Sequence, residues 1–171
     1  MRVCLDLNVW CAFVASRRKQ GRLTAAGYLV DAVKRGSCAR GRLALVTSWG
    51  MLERLGKVLV ADIGIGRSEA GDVLAAIAGL ADPAPSLTLG GVGVLRTADV
   101  EDRHVLETAW AGGADLLVTA NLKDFGQTDA DVRVPERIVL LRRAEQSMIL
   151  AHPYAAAAWL DGRDVEGWPE A

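Results

Sequence analysis

Four carboxylates, Asp6, Glu53, Asp102 and Asp124, occupy positions that an alternation of strands and helices brings to one rim. Asp6 lies in the apolar run 3–7 and Glu53 in the first helical turns after the run 43–47. Asp102 opens a helical stretch, and Asp124 lies just past the run 116–119. In open α/β sheets, ligands gather outside the carboxyl ends of the strands, which is where these acids fall. At about 100° per residue, Glu53 sits at the edge of the face shared by Trp49, Leu52, Leu55, Gly56 and Leu59, off the fully wet side. The same construction puts Asp102 among Val105, Leu106 and Ala109, a costly place for an unpaired carboxylate. A hard divalent cation, Mg²⁺ or Mn²⁺, would offset that burial, because it prefers carboxylate oxygens and keeps waters for a phosphate and a nucleophile. Ordinary readings exist as well: Asp102 as a macrodipole partner behind an Asp99 cap, and Glu53 as a solvated helix residue. Asp6 has the least ordinary position, since an acid within an apolar first strand has little structural purpose.

Elements that would hold these acids can be traced along the chain. Residues 3–7 read as a buried strand, and Thr24 caps a helix that runs to Lys34 and ends at Gly36. Residues 43–47 are a second strand, and Ser48 caps a helix over 49–60. Another helix runs from a Ser68 cap to about Ala81, followed by a loop-rich passage with Gly90 to Gly93. A helix from Asp102 ends at Gly112 and Gly113, and residues 116–119 and 138–141 are strands. Residues 144–150 and 153–160 read as helical, with a loose tail after them. Such alternation predicts an α/β fold with a central parallel sheet flanked by helices on both faces, because parallel strands need crossovers. The expected organisation is one domain over 1–142, with a helical extension and tail, 143–171, packed on it.

Composition narrows the class. The 171 residues are 51% hydrophobic and 24% charged, with 20 basic against 21 acidic side chains and a net charge of −1. No global basic field marks a nucleic-acid binder, so any such contact must be local. The dense basic run of Arg17, Arg18, Lys19 and Arg22 is the candidate for holding an RNA backbone, with a solvated loop as the plainer reading. Cys4, Cys11 and Cys38 form no Cys-x-x-Cys pair, which argues against a zinc cluster and suits a reducing compartment. An early charge at the N-terminus and the lack of a long apolar run predict a cytoplasmic protein with no membrane span. His104 and His152 lack the paired spacing of a zinc site and are expected outside the active site. Trp10, Trp49 and Trp110 are expected in the core, with Trp159 and Trp168 available to an interface.

Taken in order, Leu5-Asp6-Leu7-Asn8-Val9, Ser48 with Glu53 and Val58-Leu59, Asp99 with Asp102-Arg103-His104-Val105-Leu106, and the segment from Gly113 through Thr119, Asn121 and Asp124 to Phe125 resemble a PIN domain. The likeness is strongest to the VapC-like toxins of bacterial toxin-antitoxin pairs and runs from Val3 to about Leu141, with residues 102–125 its most specific block. It implies a Rossmann-like sheet and an Mg²⁺- or Mn²⁺-dependent ribonuclease acting on single-stranded or looped RNA. Asp6, Glu53 and Asp102 would be the central acids and Asp124 the fourth, with Asp6, Asp102 and Asp124 on the metal. Asn8, Thr119 and Asn121 would support them, Asn121 being the other candidate for the fourth ligand. Water would attack phosphorus in line, without a covalent enzyme intermediate. A cognate antitoxin and a homodimer are the partners the resemblance implies. Alternatives are a PIN nuclease of RNA processing, a degenerate binding module, and a haloacid-dehalogenase-like phosphatase with Asp6 as nucleophile. That phosphatase needs an acid at position 8, where the chain has Asn8.

Overall fold

The computed structural model describes residues 1–18, 24–86, 100–123, 130–143 and 145–169, without the side chains of 100–102. In chain order the elements are β1 (Arg2–Leu5), α1 (Leu7–Arg18), α2 (Ala25–Arg35), β2 (Ser37–Cys38), β3 (Gly41–Arg42), β4 (Ala44–Val46) and α3 (Trp49–Ala61). These lead into α4 (Arg67–Leu80), α5 (Val100–Ala111), β5 (Leu116–Val118), β6 (Ala130–Val134), β7 (Ile138–Arg143), β8 (Gln146–Ala151) and α6 (Pro153–Leu160).

Local chemistry accounts for the early boundaries. Thr24 accepts the Gly27 N–H at 3.0 Å to open α2, and Gly36 closes it in the left-handed region at φ 64°. Ser48 accepts the Met51 N–H at 3.2 Å to open α3, and its Oγ lies 3.1 Å from Thr108 Oγ1 on α5. The helix expected from a Ser68 cap starts slightly earlier, with Gly66 at its cap position. The Gly90 to Gly93 loop lies outside the described residues.

The main sheet has the order β4-β1-β5-β8-β7-β6. β4, β1, β5 and β8 run parallel, while β7 and β6 are antiparallel to their neighbours. The antiparallel edge follows from short connections, since a tight hairpin cannot join parallel strands. Residues 144–150, expected as helix, instead supply β8, an inner strand between β5 and β7. Ala144 itself lies outside the described residues. The segment 146–151 is a short apolar run buried between two sheet neighbours, which periodicity cannot tell from a buried helix. Of the expected helical extension, only α6 is helix. β6, within what reads as a polar excursion, is a largely exposed edge strand.

Successive side chains of β1 divide the core. Val3 and Leu5 pack with Leu45, Val118 and the helical residues Val9, Leu29, Leu55 and Leu160. Cys4 faces the opposite way, toward Val46, Leu117, Leu150 and the α5 residues Val105, Leu106 and Ala109. Helices therefore cover both faces. Trp10 is in the core, but Trp49 is 52% exposed. The tail is tied back: Trp168 stacks on Trp159 with centroids 4.4 Å apart, and Arg40 lies over the Trp159 ring. All three cysteines are free thiols. No helix among the described residues is long and apolar enough to cross a membrane.

Candidate active site

The joint between β1 and α1 is Asp6. Its N–H continues the ladder by donating to the Val118 carbonyl at 3.0 Å, and its own carbonyl accepts the Val9 N–H that opens α1. The side chain is only 5% exposed. Asp6 Oδ1 accepts the Leu7 N–H, and Oδ2 accepts Asn8 Nδ2 and Thr119 Oγ1, both at 2.6 Å. A carboxylate offers about four acceptor places, so among the described residues one place on Oδ1 is left over.

Thr119 is completely buried just past β5 and ties the clamp together. Its Oγ1 accepts the Asn121 N–H at 3.0 Å while donating to Asp6, and Asn8 Nδ2 lies 3.2 Å away. Asn8 Oδ1 in turn accepts the Ala120 N–H at 3.2 Å. The loop after β5 is thus fastened to the start of α1. Burial pushes the Asp6 carboxyl above its usual pKa, and the bonds from Thr119, Leu7 and Asn8 pull it partly back. The fold therefore holds a carboxylate in a position that disfavours its charge and only partly compensates it.

A cavity of about 450 Å³ opens on this clamp. Asp6, Asn8 and Asn121 line it together with Arg54 and His104, over an apolar floor that includes Met51, Val58 and Val105. Arg54 and His104 were not expected there. Met51, Arg54 and Val58 stand three and four residues apart on α3, so they share one side of the helix. That spacing was available in the sequence as a sign that Arg54, rather than Glu53, lines the Asp6 cavity. His104 Nδ1 is buried without a hydrogen-bond partner among the described residues.

The structure does not bring Glu53 to Asp6. Its side chain is 70% exposed and paired with Lys57 at 2.8 Å, and this contact holds its carboxyl below the usual value. The expected place at the edge of the buried face is corrected because α3 buries Met51, Leu52, Leu55 and Leu59, leaving Glu53 outside that set. Asp102 lies in the first turn of α5, whose next residues His104 and Val105 reach the cavity, but its side chain is outside the description. Asp124, Lys19 and Arg22 also fall outside the described residues. Arg18 is occupied, donating to the Ile63 carbonyl at 2.9 Å, and the Arg17 guanidinium lies 5.8 Å from the centroid of Phe13.

The donor chemistry fits a hard cation only in part. Asp6 offers a spare carboxylate acceptor place among neutral oxygens, as far as the described residues go, yet the cationic residue Arg54 lines the same space. Among the described residues, no three His, Cys, Asp or Glu side chains group as a metal cage.

The fold agrees with the comparisons. A family model described as PIN domain matches residues 2–123, well over half of the chain, which therefore belongs to the PIN-domain family. Members of that family are typically nucleases and generally metal-dependent. No curated protein and no solved structure matched the chain.

Proposed function

We propose that the chain is an endoribonuclease that cuts single-stranded or looped RNA at the Asp6 cavity, with Mg²⁺ or Mn²⁺ held by Asp6, Asp102 and Asp124. The observation that carries this reading is the buried Asp6 carboxylate, clamped by Thr119 and Asn8 at the carboxyl end of β1 with an acceptor place to spare. A cation there supplies Lewis acidity toward water and phosphoryl oxygens. The chain supplies the rest. Thr119 and Asn8 fix the Asp6 oxygens, and Asn121 and the cationic Arg54 line the approach. In this reading the protein is the toxin of a toxin-antitoxin pair, with a cognate antitoxin and a homodimer as its partners. The resemblance to VapC-like toxins supports that role.

Glu53 stands outside this machinery. Glu53→Gln is expected to leave kcat/KM within about twofold, since it removes only a surface i,i+4 pair. Arg54→Gln is expected to lower kcat/KM and to tighten Mn²⁺ binding about fivefold by removing a positive charge from the cavity. Calorimetric titration with Mn²⁺ and RNA-cleavage kinetics read both variants. A large loss in Glu53→Gln would put the acid back in the site.

The test of the metal site is thermal. Millimolar Mn²⁺ or Mg²⁺ is expected to raise Tm by roughly 5 °C, as binding at about 100 times Kd would, and Asp6→Asn is expected to abolish the rise. An equal rise in that variant would move the metal elsewhere. A second reading, a PIN domain that binds RNA without cutting it, is favoured by Arg54 and His104 lining the cavity where Glu53 was expected. RNA binding with no metal-dependent cleavage would select it.

A further inference from the structure

A second hollow, of about 810 Å³, lies beside the Asp6 cavity and shares Asn121 with it. The strand register explains their adjacency. Val118 on β5 pairs with Ala151 on β8, and the Thr119 N–H donates to the Ala151 carbonyl at 3.1 Å. His152, which opens α6, is therefore next to the residue that clamps Asp6. Since β1, β5 and β8 are neighbours, the ends of β1 and β8 lie about two strand spacings, or ~10 Å, apart. A dinucleotide spans that distance.

The walls of the hollow combine an aromatic stack with Lys123 and Arg137, and the carboxylates Glu136, Asp164 and Glu166 also line it. The Tyr154 ring stacks on His152, with centroids 5.4 Å apart and planes inclined by 19°, yet Tyr154 is 74% exposed. His152 is held in place, because its Nδ1 accepts the Tyr154 N–H and its own N–H donates to the Arg137 carbonyl at 2.9 Å. Arg137 lies close enough for its charge to hold the His152 imidazole below its usual pKa, after the larger effect of burial. Across the hollow, Lys123 pairs with Glu136 at 3.3 Å and ties the loop after β5 to the β6–β7 turn. Exposed aromatic faces beside a cation are what unpaired bases stack on, and double-stranded RNA does not offer such faces.

We propose that this hollow is a base-binding subsite. An unpaired nucleobase of the RNA strand stacks on Tyr154, and the adjoining phosphate lies toward Arg137, while the strand continues into the Asp6 cavity. The inference rests on the ribonuclease reading for the course of the strand, and its test separates the two.

The probe is a fluorescently labelled pool of random hexaribonucleotides, bound to the full chain in chelator and followed by anisotropy. Tyr154→Ala is expected to weaken binding roughly tenfold, whereas Tyr154→Phe keeps it within about twofold. In Mn²⁺ the alanine variant is expected to raise KM with kcat nearly unchanged, the signature of lost ground-state binding. Tyr154 is so exposed that its replacement leaves the core alone. Binding and KM equal to those of the unmodified chain would overturn the subsite, and a protein segment as the true occupant would give that result. Cleavage that ignores Tyr154 would sink the subsite and leave the nuclease standing. Tyr154-dependent binding without any cleavage would do the reverse.

Discussion

Asp6→Asn is expected to lower the kcat/KM of RNA cleavage about a thousandfold, or ~4 kcal/mol of transition-state stabilisation, while the protein stays folded. The change is isosteric, so the joint between β1 and α1 and the backbone bonds to Val118 and Val9 have no reason to move. Charge and acceptor capacity are what disappear. Asp6 accepts three bonds and keeps a place on Oδ1, and an amide gives up one oxygen and all negative charge. Burial already disfavours the charged carboxyl, so removing the charge relieves a desolvation cost and limits any loss of stability from the broken hydrogen bonds. Cleavage kinetics in Mn²⁺ beside a circular-dichroism melt give the two readouts. A folded variant with near-normal cleavage would remove Asp6 from the chemistry.

Thr119→Val is expected to cost roughly 10- to 100-fold in kcat/KM and about 1–3 kcal/mol of stability. Thr119 touches no substrate in this account; it positions Asp6. Its hydroxyl donates to Asp6 Oδ2 at 2.6 Å and accepts the Asn121 N–H at 3.0 Å, and valine replaces both with a methyl group in a fully buried place. The Asp6 side chain keeps Asn8 and Leu7 as donors but loses the contact that binds it to the loop after β5. The same loss weakens the hold on metal, so the Mn²⁺ needed for half-maximal cleavage should rise with the fall in rate. Thr119→Ser restores the hydroxyl and is expected to recover most of the activity. If valine and serine behave alike, the hydroxyl is not what holds Asp6.

Local signals in the sequence proved readable where a single residue decides the outcome. Thr24, Gly36 and Ser48 each satisfy backbone groups of an adjacent helix end, and the helices start or stop there. Asp6 stood out because its burial is set by its immediate neighbours on β1. Longer-range packing hid the rest. Met148, Leu150 and Ala151 form an apolar run that becomes strand only because β5 and β7 are available on either side. Glu53 and Arg54 differ by one residue, about 100° of helix, and which of them meets the cavity depends on how α3 seats Met51 and Val58. A lone His104 carries no metal-site spacing, and its place beside Asp6 comes from the approach of α5 to β1. Thr119, expected to support the acids, grips Asp6 itself and fastens the loop after β5.

Metal-dependent cutting of RNA tests the central claim most directly. Purified chain is incubated with mixed single-stranded RNAs in Mn²⁺ or Mg²⁺, then in chelator, then with the metal restored, beside Asp6→Asn throughout. The account predicts cleavage that stops in chelator, returns with metal and is absent from the variant. Cleavage that persists in chelator or in Asp6→Asn, or no cleavage with either cation, would contradict it.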